Sequence, residues 1–186
     1  IGADCALGDV NNDESVNMAD PQEILDVAVQ LLEATECRLK AGDLSGDGRL
    51  DSADAVLLTR MIEGLPVSPP TPEDTLQAKL LSVESITVSL GETVAATPGD
   101  VVDIPIHIDN AAGMAGADVL VTYDQRVAAL EFVQAELAEL AADFDSSVQS
   151  DDGWVRLALT SSTALNAVEG GTLALLRFTI RDDAIP

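Results

Sequence analysis

The sequence predicts two small domains of different class: a helical one built on paired acidic loops, and an all-β sandwich of jelly-roll type behind it. Three observations carry this. A loop-plus-helix unit occurs twice, in residues 8–32 and 42–65, at a fixed offset of 34 residues. A stretch with four prolines, LPVSPPTPEDT, then interrupts the chain. Beyond about residue 83 the apolar period changes from helical to alternating. The expected boundaries are 1–65 for the first domain, 66–82 for an extended linker and 83–186 for the second.

The composition narrows the function before any motif does. Among 186 residues, 33 acids face 9 lysines and arginines, for a net charge of −24. A nucleic acid or an anionic membrane surface is therefore not the expected partner. The charge is shared: residues 1–65 hold 14 acids and 4 bases, net −10, and residues 66–186 hold 19 and 5, net −14. At 47% apolar residues the chain can build a core in each half. No run approaches the roughly 18 apolar residues of a membrane span. The sequence opens at Ile1 with no Met and no leader, as expected of a processed terminus or of an artificial boundary, so the missing leader says nothing against secretion.

The two units align residue by residue. Asp9, Asp13, Ala19 and Asp20 fall on Asp43, Asp47, Ala53 and Asp54, and Val16 falls on Leu50. Behind them Ile24, Val27, Ala28 and Leu31 fall on Leu58, Met61, Ile62 and Leu65, the spacing of one helix face. Carboxylates this close repel unless a cation sits among them. An EF-hand-type loop takes oxygens from positions 1, 3, 5, 7, 9 and 12, with a backbone carbonyl at position 7. The second loop supplies Asp43, Ser45, Asp47, the Arg49 carbonyl, Asp51 and Asp54; the first supplies Asp9, Asn11, Asp13, the Ser15 carbonyl, Asn17 and Asp20. Hard oxygen ligands in this number suit calcium, so two Ca²⁺ are expected. The alternative is that these acids are solvated turn residues, with Asp20 and Asp54 capping the helices. Two copies at one offset weigh against it. Gly48 serves the sharp turn at position 6 of loop 2, whereas loop 1 has Glu14 there, so loop 2 is expected to bind more tightly.

Both loops end in Asp rather than Glu, and no helix fits before Asp9. Tandem units introduced by Gly-Asp, GDVNNDESVNMAD and GDLSGDGRLDSAD, closely resemble the type I dockerin module over residues 8–65. The resemblance implies a small EF-hand-like domain that folds around calcium and docks onto a cohesin through the start and outer face of its helices. The matching positions are Met18, Ala19, Leu25, Asp26 and Gln30 in repeat 1, and Ser52, Ala53, Thr59, Arg60 and Gly64 in repeat 2. Leu25 reads equally as a core residue. Because the repeats differ at these positions, a symmetric pair of binding orientations is not expected. Cys5 and Cys37 each lie upstream of an acidic loop. Loops of this kind suggest an oxidising, calcium-rich exterior, where the two would close a disulfide; two free, partly buried thiols are the alternative.

In the second half, VVDIPIHID alternates Val102, Ile104, Ile106 and Ile108 against Asp103, Pro105, His107 and Asp109. Similar runs occur at 84–90, 117–123, 127–133, 154–160 and 172–180, with turn signals at Pro98-Gly99-Asp100, Asp151-Asp152-Gly153 and Glu169-Gly170-Gly171. Residues 135–143 read as a helical turn inserted in the sandwich. The order of TPGDVVDIPIHIDNAAGMAGADVLVTYDQRVAALEFVQ and of GGTLALLRFTI resembles a cohesin module over roughly residues 84–182. That family implies one more strand, pairing with the first, than the chain supplies before Pro186.

Catalysis finds no support. His107, the only histidine, falls on the polar face of its strand, leaving no Ser-His or Cys-His couple. A carbohydrate-binding sandwich with a dockerin anchor would want exposed aromatics, for which Trp154 is the best candidate; Tyr123 and Phe178 read as core. A calcium-stiffened surface or adhesion protein is the other alternative. The favoured expectation is a secreted or cell-surface, non-catalytic adaptor. Its dockerin half would take a cohesin-type partner and its β half a dockerin-type partner. Carrying both modules, it could also associate head to tail.

Overall fold

The structure, a computed structural model, describes residues 5–67, 86–92, 94–123, 129–166 and 169–183. Most of the expected linker, Glu84 and Ser85 of the first expected strand run, and Val127 and Ala128 of the run at 127–133 lie outside these residues. Three helices make up the first part: α1 (Ala19–Ala28), α2 (Glu36–Gly42) and α3 (Ser52–Ile62). Seven strands make up the second: β1 (Val88–Leu90), β2 (Val101–Ile108), β3 (Gly116–Thr122), β4 (Leu130–Leu137), β5 (Asp145–Asp151), β6 (Trp154–Thr160) and β7 (Gly171–Ile180).

The helices of the two units form because their apolar residues recur on one face. Ile24, Leu25 and Leu58 are completely buried, with Val10, Ala41 and Leu50 packed around them. The expected face holds through Ala28 and Ile62 but not beyond. Leu31 and Leu65 are exposed because each helix has already ended: Gln30 and Gly64 both turn to φ +69. Helix α2 was not anticipated. It is short, capped by Thr35, whose hydroxyl accepts from the Arg38 N–H, and tied to α1 by the Arg38–Glu23 ion pair. A disulfide joins Cys5 to Cys37 on α2, with the Cα atoms 5.4 Å apart.

The strands form two antiparallel sheets, β1-β2-β7-β4 and β3-β6-β5. Ile106, Leu176 and Phe178 from the first meet Val155, Leu157 and Leu159 from the second. Tyr123 and Phe132 contact Phe178 edge-on, at 5.3 and 5.6 Å between ring centroids. Strands appear over the expected runs at 101–109, 117–123, 154–160 and 172–180. Where a helical turn was expected over 135–143, β4 instead continues to Leu137, because residues 134–137 pair with β7; a single 3-10 turn, Glu139–Ala141, follows. Strand β5 was not anticipated, since DSSVQSD carries a single apolar residue, Val148, toward the core. Among the described residues β1 is an edge strand with β2 as its one neighbour.

Candidate functional site: two acidic loops and a covered sheet face

Each loop is organised by its first and last aspartates. In loop 2, Asp43 accepts from the N–H groups of Gly46 and Gly48 at 2.7 and 3.0 Å. Asp54 accepts from Ser45 at 2.8 Å and Asp51 at 3.2 Å, and Asp51 returns a cap to the Ala53 N–H. Loop 1 repeats the scheme: Asp9 accepts from Asp13 and Glu14, and Asp20 from Val10, Asn11 and Asn17. Backbone N–H groups pull the carboxylates inward, so Asp20 and Asp54 have no exposed surface although both are acids.

The loops differ as their sequences do. In loop 2, Asp43, Asp47 and Asp54 bring carboxylate oxygens within 4.8 Å of one another; loop 1 forms no such group of acids. Gly48 takes φ +84 with open space around it. Glu14 is held at φ +68 in the equivalent turn, a conformation costing a side chain about 1 kcal/mol. Leu50 is buried, whereas its counterpart Val16 is 43% exposed. Burial pushes the Asp54 carboxyl above the usual carboxylate range, despite its two N–H bonds. Asp51 is raised as well, first by burial and then by the negative charges of Asp118 and Asp47. No salt bridge among the described residues reaches the Asp43, Asp47, Asp54 cluster. Three converging carboxylates, one wholly buried and none with a protein cation, fit a hard divalent ion.

The second feature is the outer face of the β3-β6-β5 sheet. Cross-strand pairing sets Asp118, Ala158 and Ser147 in one row across it. Helices α1 and α3 lie on that row. Ser52, at the start of α3, gives Asp118 both its N–H and its hydroxyl, at 3.2 and 2.6 Å. Ser147 donates its hydroxyl to Asp26 of α1 at 2.6 Å. Between them Ala158 is only 1% exposed and joins the apolar cluster of the helices, not that of the sandwich. On one side of the row, a Cβ built on Gly116 would lie 3.1 Å from Val56 of α3. On the other, the Gln149 amide faces the Val29 and Gln30 carbonyls.

Of the positions expected to meet a partner, Ser52 and Asp26 thus touch the sandwich, and Ala53 lines a small hollow beside Gly116. Met18 and Ala19 are exposed. Leu25 lies in the core, and Thr59 is buried with its hydroxyl donating to the Ala55 carbonyl. Arg60 reaches the Pro66 carbonyl, and the Gln30 side chain is exposed. The sandwich residues of this contact escaped the sequence reading. The one available signal was the small pair Ala158 and Thr160 on the non-core face of WVRLALT, where exposed strands carry larger polar groups. Trp154 sits under the Arg156 guanidinium, 5.4 Å from its ring centre.

Calcium-type loops feeding two helices, joined to an antiparallel sandwich, define the class as a modular docking protein. The cohesin domain model matches residues 86–185, more than half of the chain, and the dockerin type I domain model matches residues 7–63. The chain belongs to the cohesin family and carries a type I dockerin domain ahead of its cohesin domain. A comparison with curated proteins found no match.

Among solved structures, a non-cellulosomal cohesin from Archaeoglobus fulgidus is 18% identical, with a TM-score of 0.45 over 51% of this chain and 64% of its own. The sixth cohesin of Acetivibrio cellulolyticus scaffoldin B, solved with a Cel5 dockerin, is 24% identical, with a TM-score of 0.45 over 54% of this chain and 74% of its own. A type I cohesin–dockerin complex from Clostridium thermocellum is 19% identical, with a TM-score of 0.46 over 55% and 77%. This chain thus spans just under two thirds of the archaeal protein's length. No helix among the described residues is long and apolar enough to cross a membrane.

Proposed function

We propose that this protein is a non-catalytic, calcium-dependent docking adaptor of the cellulosome type, working outside the cell or at its surface. The observation that carries this is the presence on one chain of a dockerin domain and a cohesin domain, complementary docking modules. Its dockerin half takes a cohesin-type partner, its cohesin half a dockerin-type partner, so the chain links two others without altering either.

Two Ca²⁺ are assigned to the helical domain. Asp43, Ser45, Asp47, the Arg49 carbonyl, Asp51 and Asp54 hold one; Asp9, Asn11, Asp13, the Ser15 carbonyl, Asn17 and Asp20 hold the other. What calcium supplies is charge neutralisation, which lets acids converge in a buried place and fixes the helices for docking. Asp20 and Asp54 contribute even without the ion, by collecting the loop N–H groups. The domains are assigned as 1–65 and 83–186.

Calorimetry with calcium alone, on the full chain, tests the metal assignment: two ions per chain, with loop 2 filling first, is expected. Capture of purified cohesin and dockerin modules by the immobilised chain tests the function. Binding in calcium that disappears in chelator supports the adaptor, and no binding of either module in calcium, even at about millimolar module, refutes it.

A further inference from the structure

The adaptor reading leaves open what lies on the β3-β6-β5 face before a partner arrives, and the contact made there has its own chemistry. Both domains are strongly acidic, yet acid meets hydroxyl at two polar points, Ser52 with Asp118 and Ser147 with Asp26, and amides meet carbonyls at the others, Gln22 with Ser146 and Gln149 with Val29 and Gln30. No ion pair joins the domains among the described residues. Ala158 provides a flat floor between the two polar points, and Gly116 allows α3 to approach.

The contact also has a direction. At the offset of 34, Ser52 corresponds to Met18 and Asp26 to Arg60. Exchanging the repeats by a half-turn would set the Met18 thioether against Asp118, removing both donors from a carboxylate. It would also present Arg60 to Ser147 in place of the acceptor that Asp26 provides. A carboxylate that accepts two hydrogen bonds is exchanged for one that faces a thioether, so the two orientations are chemically unequal.

Resting on the adaptor reading, we propose that the outer β3-β6-β5 face takes the dockerin domain of its own chain, in this one orientation, so that the protein is a closed monomer. Residues 68–85 join the two bodies. A covalent link of such length makes the encounter intramolecular, with an effective concentration of millimolar order. A second copy at micromolar concentration competes poorly. Closure covers the socket and the Ser52–Asp26 face of the plug, so the apparent affinity for an outside partner that needs either falls by the fraction of chains that are open. Since both bodies are negative, screening by salt favours closure.

The test is small-angle scattering with light-scattering mass on the full chain in calcium, over a hundredfold range of concentration and in low and high NaCl. A monomer with a radius of gyration near 16 Å is expected, the value for a compact chain of this length. The decisive variant is Ser52→Met with Asp26→Arg. Each replacement is the residue found at the equivalent place in the other repeat, so the helices should keep their fold, as circular dichroism would verify. That variant is expected to expand to about 20–25 Å, while Met18→Ala stays compact. The proposal is overturned by an extended wild-type chain, by a mass that doubles with concentration, or by a folded double variant that remains compact. Equal opening by Met18→Ala overturns the single orientation. Failures of the two readings separate cleanly. An extended wild-type chain that still captures a partner module overturns closure alone, whereas a double variant that opens but captures no purified dockerin module on its unaltered, vacated sheet face overturns the adaptor reading.

Discussion

Replacing Asp54 by Asn removes one charge from loop 2 while keeping the size and shape of the side chain. In the native loop, Asp54 accepts from Ser45 and Asp51 with its two oxygens. Asparagine can accept at only one of these places and points an amide N–H at the other, and an unsatisfied buried donor costs about 1–3 kcal/mol. Against this, the calcium-free loop no longer buries a charge at a wholly covered position, which offsets much of the loss. In chelator the variant should therefore melt within several degrees of wild type. In calcium the balance differs, because the variant forfeits the stabilisation of one bound ion. That stabilisation is about 2.7 kcal/mol at a calcium concentration one hundred times Kd. For a domain of this size each kcal/mol moves Tm by about 4–8 °C. The helical signal should thus melt about 10–20 °C lower than wild type in calcium, with the sandwich transition followed separately by Trp154 fluorescence. Equal destabilisation in calcium and in chelator would refute the reasoning, making Asp54 a structural cap and not a ligand.

Glu14→Gly should tighten loop 1 by no more than about twofold, as the added freedom of the unfolded glycine offsets most of the relief of its positive φ; calorimetry with calcium reads this directly. Reducing the Cys5–Cys37 disulfide, which closes a separation of 32 residues, should cost the helical domain roughly 4 kcal/mol by loop entropy, seen as a lower Tm in reductant. In the sandwich, hydrogen bonds from Thr97 and Thr87 hold Asp100 and Asp109 below the usual carboxylate range, and the Arg177 guanidinium does the same for Asp103. Depressed folded-state pKa values stabilise the fold above the unfolded value of about 3.9 and cease to do so as pH falls through them. Urea midpoints of the sandwich should accordingly be flat from pH 7 to 5 and drop below about pH 4; Asp103→Asn should flatten part of that drop.

The legible parts of this protein were those coded by neighbours in sequence. The acidic loops could be read because ligand spacing is local, and the strands at 154–160 and 172–180 because a core on one side imposes alternation. Helix α2 and strand β5 escaped for the converse reason. The seven residues of α2 are too few for a periodic signal, and β5 is fixed by its pairing with β6 and by α1 above it, not by apolar residues of its own. Leu31 and Leu65 matched the helical period but fell past ends set by positive-φ turns. The row of Asp118, Ala158 and Ser147 brings together residues far apart in the chain, and no single stretch announces it. Arg156 Nε and the Thr160 hydroxyl, buried in the same region without partners, are likewise visible only in three dimensions.

Strand β6 belongs to two interiors at once. Val155, Leu157 and Leu159 face the sandwich core, and Ala158 faces the helical cluster. Its backbone is shielded by strands on both edges and by side-chain layers on both faces. Its amides should be the last in the chain to exchange with deuterium, and their protection should weaken when calcium is withdrawn from loops that are remote in sequence. Through this strand the metal's occupancy becomes readable in the opening rate of a sheet that binds no metal.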